Sequence, residues 1–204
     1  MTIRIYGDLD SRVARCLWMA RELNLPHETI PTDWRTCNNE QDFLAVNPYG
    51  MIPALEDGDL RLSESMAIND YLLRRHGTGS PLAPTDATED AAIMQWTFWT
   101  VTQVEKPMVQ FLCLETNVRP VPPETIAAAR ADLQRPLTYL NQHLSTRDWV
   151  IGNRFTAADL NTASIVEWAR PGKFDLTPWP HVAGWLTRCI ARPAFQGLSM
   201  AASA

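Results

Sequence analysis

A stretch rich in glycine, proline, serine and threonine, residues 78–88, divides the sequence into two parts with different hydrophobic periodicity. Strand patterns with a repeat of two residues occur before it, and helical spacing prevails beyond it. Glycine and proline interrupt both helices and strands, so such a stretch is typical of a linker. The sequence therefore predicts a first domain over residues 1–77 and an all-helical domain over residues 89–204.

The first domain is predicted to fold in the order β-α-β-α-β-β-α. Residues 3–6 alternate as a half-buried strand does, and helical spacing follows over residues 13–23. Asp57 and Gly58 lie between two short apolar runs and indicate a tight hairpin. The last helix is predicted to end at Gly77, where glycine adopts a left-handed cap at little cost.

The second domain is predicted to contain helical segments separated by proline or glycine. They cover residues 87–116, 123–144, 156–169 and 180–191. At the start of the third segment, Thr156 and Asp159 fit a capping box, in which each side chain bonds the backbone amide of the other residue. This pattern predicts a stable helix start and carries no chemistry.

Composition argues against several classes of partner. The formal net charge is -5 and the basic residues are scattered, so no cationic patch is expected for nucleic acid or an anionic membrane. No apolar run approaches the roughly 18 residues of a membrane span. Residues 1–6 have a strand pattern that leaves no room for a signal peptide. The four cysteines form no CxxC pair, so neither a zinc site nor a disulfide framework is indicated, and a reducing cytoplasm is expected.

Three segments together resemble the glutathione transferase family, in its bacterial-type, serine-type branch. They are YGDLDSRVARCLWMARELNLPHE at residues 6–28, NPYGMIPALEDGDLRLSESMAINDYL at residues 47–72 and RFTAADL at residues 154–160. The resemblance implies an α/β, thioredoxin-like N-terminal domain with a mixed four-stranded sheet, followed by an all-α domain. It also implies a cytoplasmic homodimer that uses glutathione as co-substrate and needs no metal or organic cofactor.

The resemblance further implies a glutathione site in the first domain. Ile52 and Pro53 match the family's cis-proline pair, whose first residue turns its backbone toward the cysteinyl part of glutathione. Glu64 and Ser65 match an acidic-serine pair at a helix start. Free amides and a partial positive charge there suit the γ-glutamyl carboxylate, and Glu64 can pair with the γ-glutamyl ammonium.

The chain departs from the family pattern where the glycine carboxylate of glutathione is bound. Related sequences often carry lysine, glutamine or histidine in this part of the motif, whereas this chain has Gly50 and Met51. Met51 is nevertheless predicted to bind glutathione. Arg35, in the polar segment after the second strand, is the candidate for a bidentate contact with that carboxylate.

Ser11 matches the activating serine of the serine-type branch. A hydroxyl that donates to the glutathione sulfur favours the thiolate, and a free thiol with a pKa of about 8.5 is little ionised at neutral pH. Tyr6 is the rival donor, because other branches use a tyrosine at the end of this strand. Ser11 also fits a plain N-cap role. Arg12 and Arg15 either add positive field near the site or lie solvated on the helix face.

The predicted reaction is attack of the bound thiolate on an electrophilic carbon of an apolar co-substrate. The pocket for this electrophile is expected against the helical domain, with Trp99 and Met108 as candidate lining residues, although their helical spacing also fits a core. Peroxidase, dehalogenase, ether-cleaving and isomerase reactions use the same thiolate. A non-catalytic binding or chaperone-like protein on the same fold is the alternative from another class.

Overall fold

The computed structural model describes residues 2–199 of the chain. Within them the chain divides into two compact units. The first unit comprises the residues up to Ala83 together with the stretch from Ala194, and the second runs from Pro84 to Pro193. The division falls inside the predicted linker but assigns the C-terminal stretch to the first unit. Among the described residues, no helix is long and apolar enough to cross a membrane.

The first unit is built on a mixed sheet with the strand order β2-β1-β3-β4. Its elements are β1 Ile3–Tyr6, α1 Val13–Glu22, β2 His27–Ile30, a 3-10 helix Cys37–Asn39, α2 Gln41–Val46, β3 Ala54–Asp57, β4 Leu60–Ser63 and α3 Ser65–His76. β1 pairs in parallel with β2, whereas β3 is antiparallel to both of its neighbours. The predicted element order and the thioredoxin-like fold are confirmed.

Buried apolar side chains hold the helices of this unit on the sheet. Ile5 and Leu55 are fully buried and lie opposite one another on β1 and β3. Trp18 on α1 and Leu72 on α3 are also fully buried, and these two helices pack together. Burial of such side chains contributes about 1.5–3 kcal/mol each. The packed sheet therefore fixes the positions of the strand ends from which the loops leave.

Gly77 ends α3, but without the left-handed cap that the sequence predicts. Its φ of -91° and ψ of 8° lie on the right-handed side. The position favours glycine for space instead, because a Cβ on Gly77 would lie 2.5 Å from the carbonyl oxygen of Leu73. The predicted end of the helix is confirmed, and the predicted cap conformation is wrong.

The stretch that follows Ala194 packs against α1. The rings of Phe195 and Trp18 have their centroids 4.7 Å apart. Arg21, in the last turn of α1, donates to the carbonyl oxygen of Gln196 at 2.8 Å. From sequence alone this stretch is predicted to belong to the helical domain, because no local pattern reveals a contact between residues so far apart in the chain.

The second unit is all-helical, as predicted. Its helices are α4 Ala87–Thr100, a π-helical turn Val101–Glu105, α5 Lys106–Thr116, α6 Pro123–His143, α7 Ala157–Val166 and α8 Pro180–Ile190, with short 3-10 helices at Leu144–Thr146 and Glu167–Ala169. Every residue of α7 is buried. This helix packs against α4 and α8 and forms the centre of the unit.

A π-helical turn interrupts the helix that the sequence predicts over residues 87–116. Pro107 is the second residue of α5, the helix that follows this turn. A proline has no amide hydrogen to donate to the carbonyl one turn earlier, and its ring crowds that carbonyl. A locally wider turn accommodates both effects while the chain stays helical.

Asp159 completes the predicted capping box at the start of α7. Its Oδ2 accepts from the amide of Thr156 at 3.0 Å and from the Thr156 hydroxyl at 3.2 Å. Its Oδ1 accepts from the amide of Val150 at 2.8 Å and from the indole nitrogen of Trp185 at 2.9 Å. Asp159 is fully buried, and this burial raises the pKa of its carboxyl group. One carboxylate thus joins α7, the loop before it and α8.

An ion pair joins the first turn of α4 to the loop before α7. Arg154 donates two parallel hydrogen bonds to Glu89, at 2.7 and 2.8 Å. The amide and the hydroxyl of Thr85 donate to the same carboxylate. Led by the Arg154 hydrogen bond, these contacts lower the pKa of Glu89 to about 2. Charge-assisted bidentate pairs of this kind are stronger than ordinary surface ion pairs.

We expect the substitution Glu89→Gln to lower the free energy of unfolding by about 2 kcal/mol at neutral pH. Because folding lowers the pKa of Glu89, its contribution is present above the ordinary pKa of 4.5 and is lost as the pH falls toward 2. Urea unfolding of both proteins at several pH values between neutral and acid measures this contribution. The difference between them should shrink with falling pH, and a constant difference would contradict a role for the charge.

Candidate active site

Four loops of the first unit meet at one end of its sheet. The chain leaves β1 at Tyr6 and β2 at Ile30, enters β3 at Ala54 and leaves β4 at Ser63. Because β3 runs antiparallel to the other three strands, these four points lie at the same edge. The segments that begin or end there contain the predicted site residues Ser11, Arg35, Met51, Ile52, Pro53, Glu64 and Ser65.

Ser11 lies in the turn between β1 and α1. Its hydroxyl donates to the carbonyl oxygen of Asp8 at 2.6 Å and accepts from the amide of Val13, the first residue of α1, at 3.2 Å. The N-cap of α1 is Arg12, which has no side-chain cap bond, so Ser11 lies one residue before the cap and its oxygen bonds the first helical amide. A hydroxyl proton rotates about its C–O bond. The same oxygen can therefore turn its proton toward a bound sulfur and keep the bond from Val13.

Tyr6 is bound within the sheet. Its hydroxyl donates to the carboxylate of Glu56 on the neighbouring strand β3. Burial, together with this carboxylate, raises the pKa of Tyr6 to about 12. Glu56 is also paired with Arg4 and Arg61, at 3.1 and 2.9 Å. The phenol proton is engaged in this charged network, which favours Ser11 over Tyr6 as the donor to a thiol.

Arg35 lies exposed in the segment after β2. Its guanidinium stacks over the ring of Trp34 at 4.6 Å and lies 3.4 Å from the carboxylate of Asp33. Burial raises the pKa of the Asp8 carboxyl group, and the positive charge of Arg35 opposes this rise. Arg35 is therefore an electrostatic neighbour of the turn that carries Ser11, and its guanidinium stays accessible to an anion.

The peptide bond between Ile52 and Pro53 is cis. The loop before it is ordered by Asn47, a buried residue whose side-chain amide donates to the carbonyl oxygen of Met51 at 2.6 Å. The side chain of Met51 itself is exposed. A Cβ on Gly7 would lie 3.3 Å from Cδ1 of Ile52, so the cis-proline loop and the turn after β1 are in contact.

The start of α3 combines a strained backbone with a buried serine. Glu64 has a φ of 68° and a ψ of 110°, a region that costs a non-glycine residue about 1–3 kcal/mol. The Glu64 side chain is exposed, whereas Ser65 is buried and its Oγ accepts from Arg15 of α1 at 3.3 Å. Strained residues of this kind cluster at ligand sites. The conformation therefore supports a binding role for this helix start.

The two candidates for the electrophile pocket have different surroundings in the second unit. Met108, on α5, is fully buried, so it occupies a core position in this structure. Trp99, on α4, is half-buried; its ring packs edge-on against Trp96, with centroids 5.0 Å apart, and at a tilt against Tyr139, with centroids 5.7 Å apart. Part of the Trp99 ring therefore stays accessible to a ligand.

Two family models match this chain. The model described as "Glutathione S-transferase, N-terminal domain" matches residues 1–74, and the one described as "Glutathione S-transferase, C-terminal domain" matches residues 92–193. The chain belongs to the glutathione S-transferase family. The family resemblance carried by the sequence motifs is thus confirmed, and the assignment to the bacterial-type serine branch stays a prediction.

Curated and solved members of the glutathione S-transferase family agree with this assignment. Glutathione S-transferase 3 of Zea mays is 35% identical over 205 residues, which cover 95% of this chain and 91% of that protein. GstA of Escherichia coli O157:H7 is 32% identical over 160 residues, which cover 78% of this chain and 77% of that protein. The solved apo structure of glutathione S-transferase III has a TM-score of 0.84 at 30% identity, over 97% of this chain and 95% of that one.

Two features of this candidate site are absent from the sequence-based prediction. The first is the hydrogen bond from the Asn47 side chain to the Met51 carbonyl oxygen. Its only local signal was the pair Asn47-Pro48, which more directly predicts the end of a helix. Arg15 is only 2% exposed, whereas Arg12 is exposed. No local signal separates the two arginines, because the burial of Arg15 involves its contact with Ser65 of α3.

Proposed function

We propose that this chain binds glutathione at the sheet end of its first unit and transfers it, as the thiolate, to a hydrophobic electrophile. The chain is an enzyme of the glutathione transferase family, and the finer proposal concerns which residues act and how. The observation that carries it is the meeting of the Ser11 turn, the cis-proline loop and the start of α3 at one edge of the sheet. A solved family member with a TM-score of 0.87 and 25% identity, over 98% of this chain and 99% of that one, is described as bound with lactoylglutathione.

Each part of the tripeptide has a partner of suitable chemistry at this edge. The backbone of Ile52 pairs with the cysteinyl residue, beside the exposed side chain of Met51. The γ-glutamyl carboxylate lies at the start of α3, where Ser65 and free helical amides favour an anion. Glu64, which is exposed, pairs with the ammonium group, and Arg35 contacts the glycine carboxylate.

Ser11 activates the thiol through a short chain of hydrogen bonds. The amide of Val13, at the positive end of α1, donates to the Ser11 oxygen, and the Ser11 hydroxyl donates to the sulfur. Hydrogen bonds in such a chain polarise one another, so the hydroxyl becomes a stronger donor to an anion. This arrangement favours the thiolate without a general base and corresponds to the serine-type branch of the family.

The reaction then follows from the nucleophilicity of the thiolate. The thiol proton passes to solvent, and a sulfur electron pair forms a bond to the electrophilic carbon. A leaving group departs from that carbon with its bonding electrons. The electrophile pocket includes the accessible face of Trp99. The homodimer and the cytoplasmic location implied by the resemblance stay predictions.

Calorimetric titration with glutathione tests the binding proposal. We expect a Kd below about 1 mM, the upper end of the usual range for enzyme substrates. The dipeptide cysteinyl-glycine, which lacks the γ-glutamyl group, should bind at least about tenfold more weakly. Formation of a thioether from glutathione and an aromatic halide tests the transfer step. Absence of glutathione binding would overturn the proposal and favour a non-catalytic protein on this fold.

A further inference from the structure

Two adjacent residues of α1 hold Ser65 at two of its atoms. Nη1 of Arg15 donates to Oγ of Ser65 at 3.3 Å, and the thiol of Cys16 donates to the Ser65 carbonyl oxygen at 3.6 Å. All three residues are buried. α1 therefore holds the first residue of α3 by both its side chain and its backbone, although the two helices are about fifty positions apart in the chain.

Arg15 brings a permanent positive charge beneath this helix start. A guanidinium stays protonated in proteins, and at 2% exposure its field is poorly screened by water. Cys16 carries no competing negative charge, because burial raises the pKa of its thiol to about 12. The charge of Arg15 therefore adds to the partial positive charge at the start of α3.

The hydrogen bond from Arg15 also decides how Ser65 can act. A hydroxyl has one proton to donate and two lone pairs to accept with. When Oγ accepts from a guanidinium, its own proton is left to donate and is made more acidic by polarisation. Ser65 is thus prepared as a donor to an anion, and a carboxylate is the anion that glutathione offers at this end.

We propose that Arg15 is a positioning residue for the γ-glutamyl carboxylate, acting through Ser65. The inference rests on the proposed glutathione site. It assigns to Arg15 the selectivity of this site for a ligand with a carboxylate at the start of α3. Arg15 does not touch the ligand. It orients and polarises the Ser65 hydroxyl and supplies the positive field that the carboxylate meets.

The test compares two ligands that differ only in this carboxylate. Glutathione and γ-aminobutyryl-cysteinyl-glycine, which keeps the amine but lacks the α-carboxylate, are titrated calorimetrically into wild type and Arg15→Met. We expect Arg15→Met to raise the Kd for glutathione about 10- to 100-fold and the Kd for the analogue less than about threefold. Arg15→Lys keeps the charge and should recover most of the preference for glutathione.

A matched control separates this role from a general loss of positive charge or of packing. Arg21→Met removes the same charge from an exposed position on the same helix, and should leave the ratio of the two Kd values unchanged. Equal rises for both ligands in Arg15→Met would overturn the inference and leave Arg15 a packing role. If Arg15→Met does not fold, Arg15→Gln provides the same comparison. Wild type that binds no glutathione would overturn the proposed function, and the inference with it.

Discussion

Replacement of Ser11 by alanine should raise the pKa of the bound glutathione thiol by about two units, close to the value of about 8.5 in free solution. The reason is the loss of one hydrogen bond to a charged acceptor, which contributes about 1.5–3 kcal/mol. Well below the wild-type thiol pKa of about 6.5, kcat/KM for the electrophile at saturating glutathione should fall about 100-fold, because the thiolate fraction falls by that factor. Ultraviolet detection of the thiolate in the enzyme–glutathione complex across a pH series measures this pKa.

Tyr6→Phe is the matched control for this experiment. It removes the other hydroxyl near the end of β1, but one that donates to Glu56 within the sheet. The thiol pKa in Tyr6→Phe should therefore stay within about half a unit of wild type. Ser11→Thr keeps a hydroxyl at the turn and should retain most of the activity. A raised thiol pKa in Tyr6→Phe, together with an unchanged one in Ser11→Ala, would make Tyr6 the donor.

The substitution Asp159→Ala should lower the free energy of unfolding by about 3–5 kcal/mol. It removes the acceptor of four donors: two from Thr156, one from Val150 and one from Trp185. These donors lie in a buried region, and each unsatisfied buried donor costs about 1–3 kcal/mol before relaxation. Urea unfolding followed by tryptophan fluorescence measures the loss.

Thr156→Val distinguishes the contribution of the Asp159 carboxylate from that of the Thr156 hydroxyl at the helix cap. It removes the Thr156 hydroxyl and leaves the other three donors on Asp159 in place, so we expect a loss of only about 1 kcal/mol. If Asp159→Ala were no more destabilising than Thr156→Val, the carboxylate would not be the centre of this network.

The parts of the fold that could be predicted from sequence carry local signals. Alternation over residues 3–6 marks β1, and the capping box of Thr156 and Asp159 marks the start of α7. The dipeptide Asp57-Gly58 marks the turn between β3 and β4, where Gly58 has a φ of 60°, a conformation that glycine adopts readily. Each of these patterns lies within a few residues of the structure that it predicts.

The parts that could not be predicted depend on contacts between distant segments. Arg15 is buried because α3 covers it, and the contact that shows this joins residues fifty positions apart. From α1 alone, a solvated arginine is the expected outcome. The positive φ of Glu64 likewise has no local signal, because a non-glycine residue rarely adopts this region. The motif located these residues, and tertiary packing decided their conformations.

The contact between Phe195 and Trp18 changes how the chain can be divided. Since the first unit stops at Ala83 and resumes at Ala194, the helical unit is an insertion within it and not an appendage to it. A contiguous fragment that ends at Ala83 would lack the ring that covers Trp18. A truncation after Pro193 would leave the helical unit whole and damage the unit that carries the Ser11 turn. Chimeras with other family members should therefore exchange the two ends of the chain together.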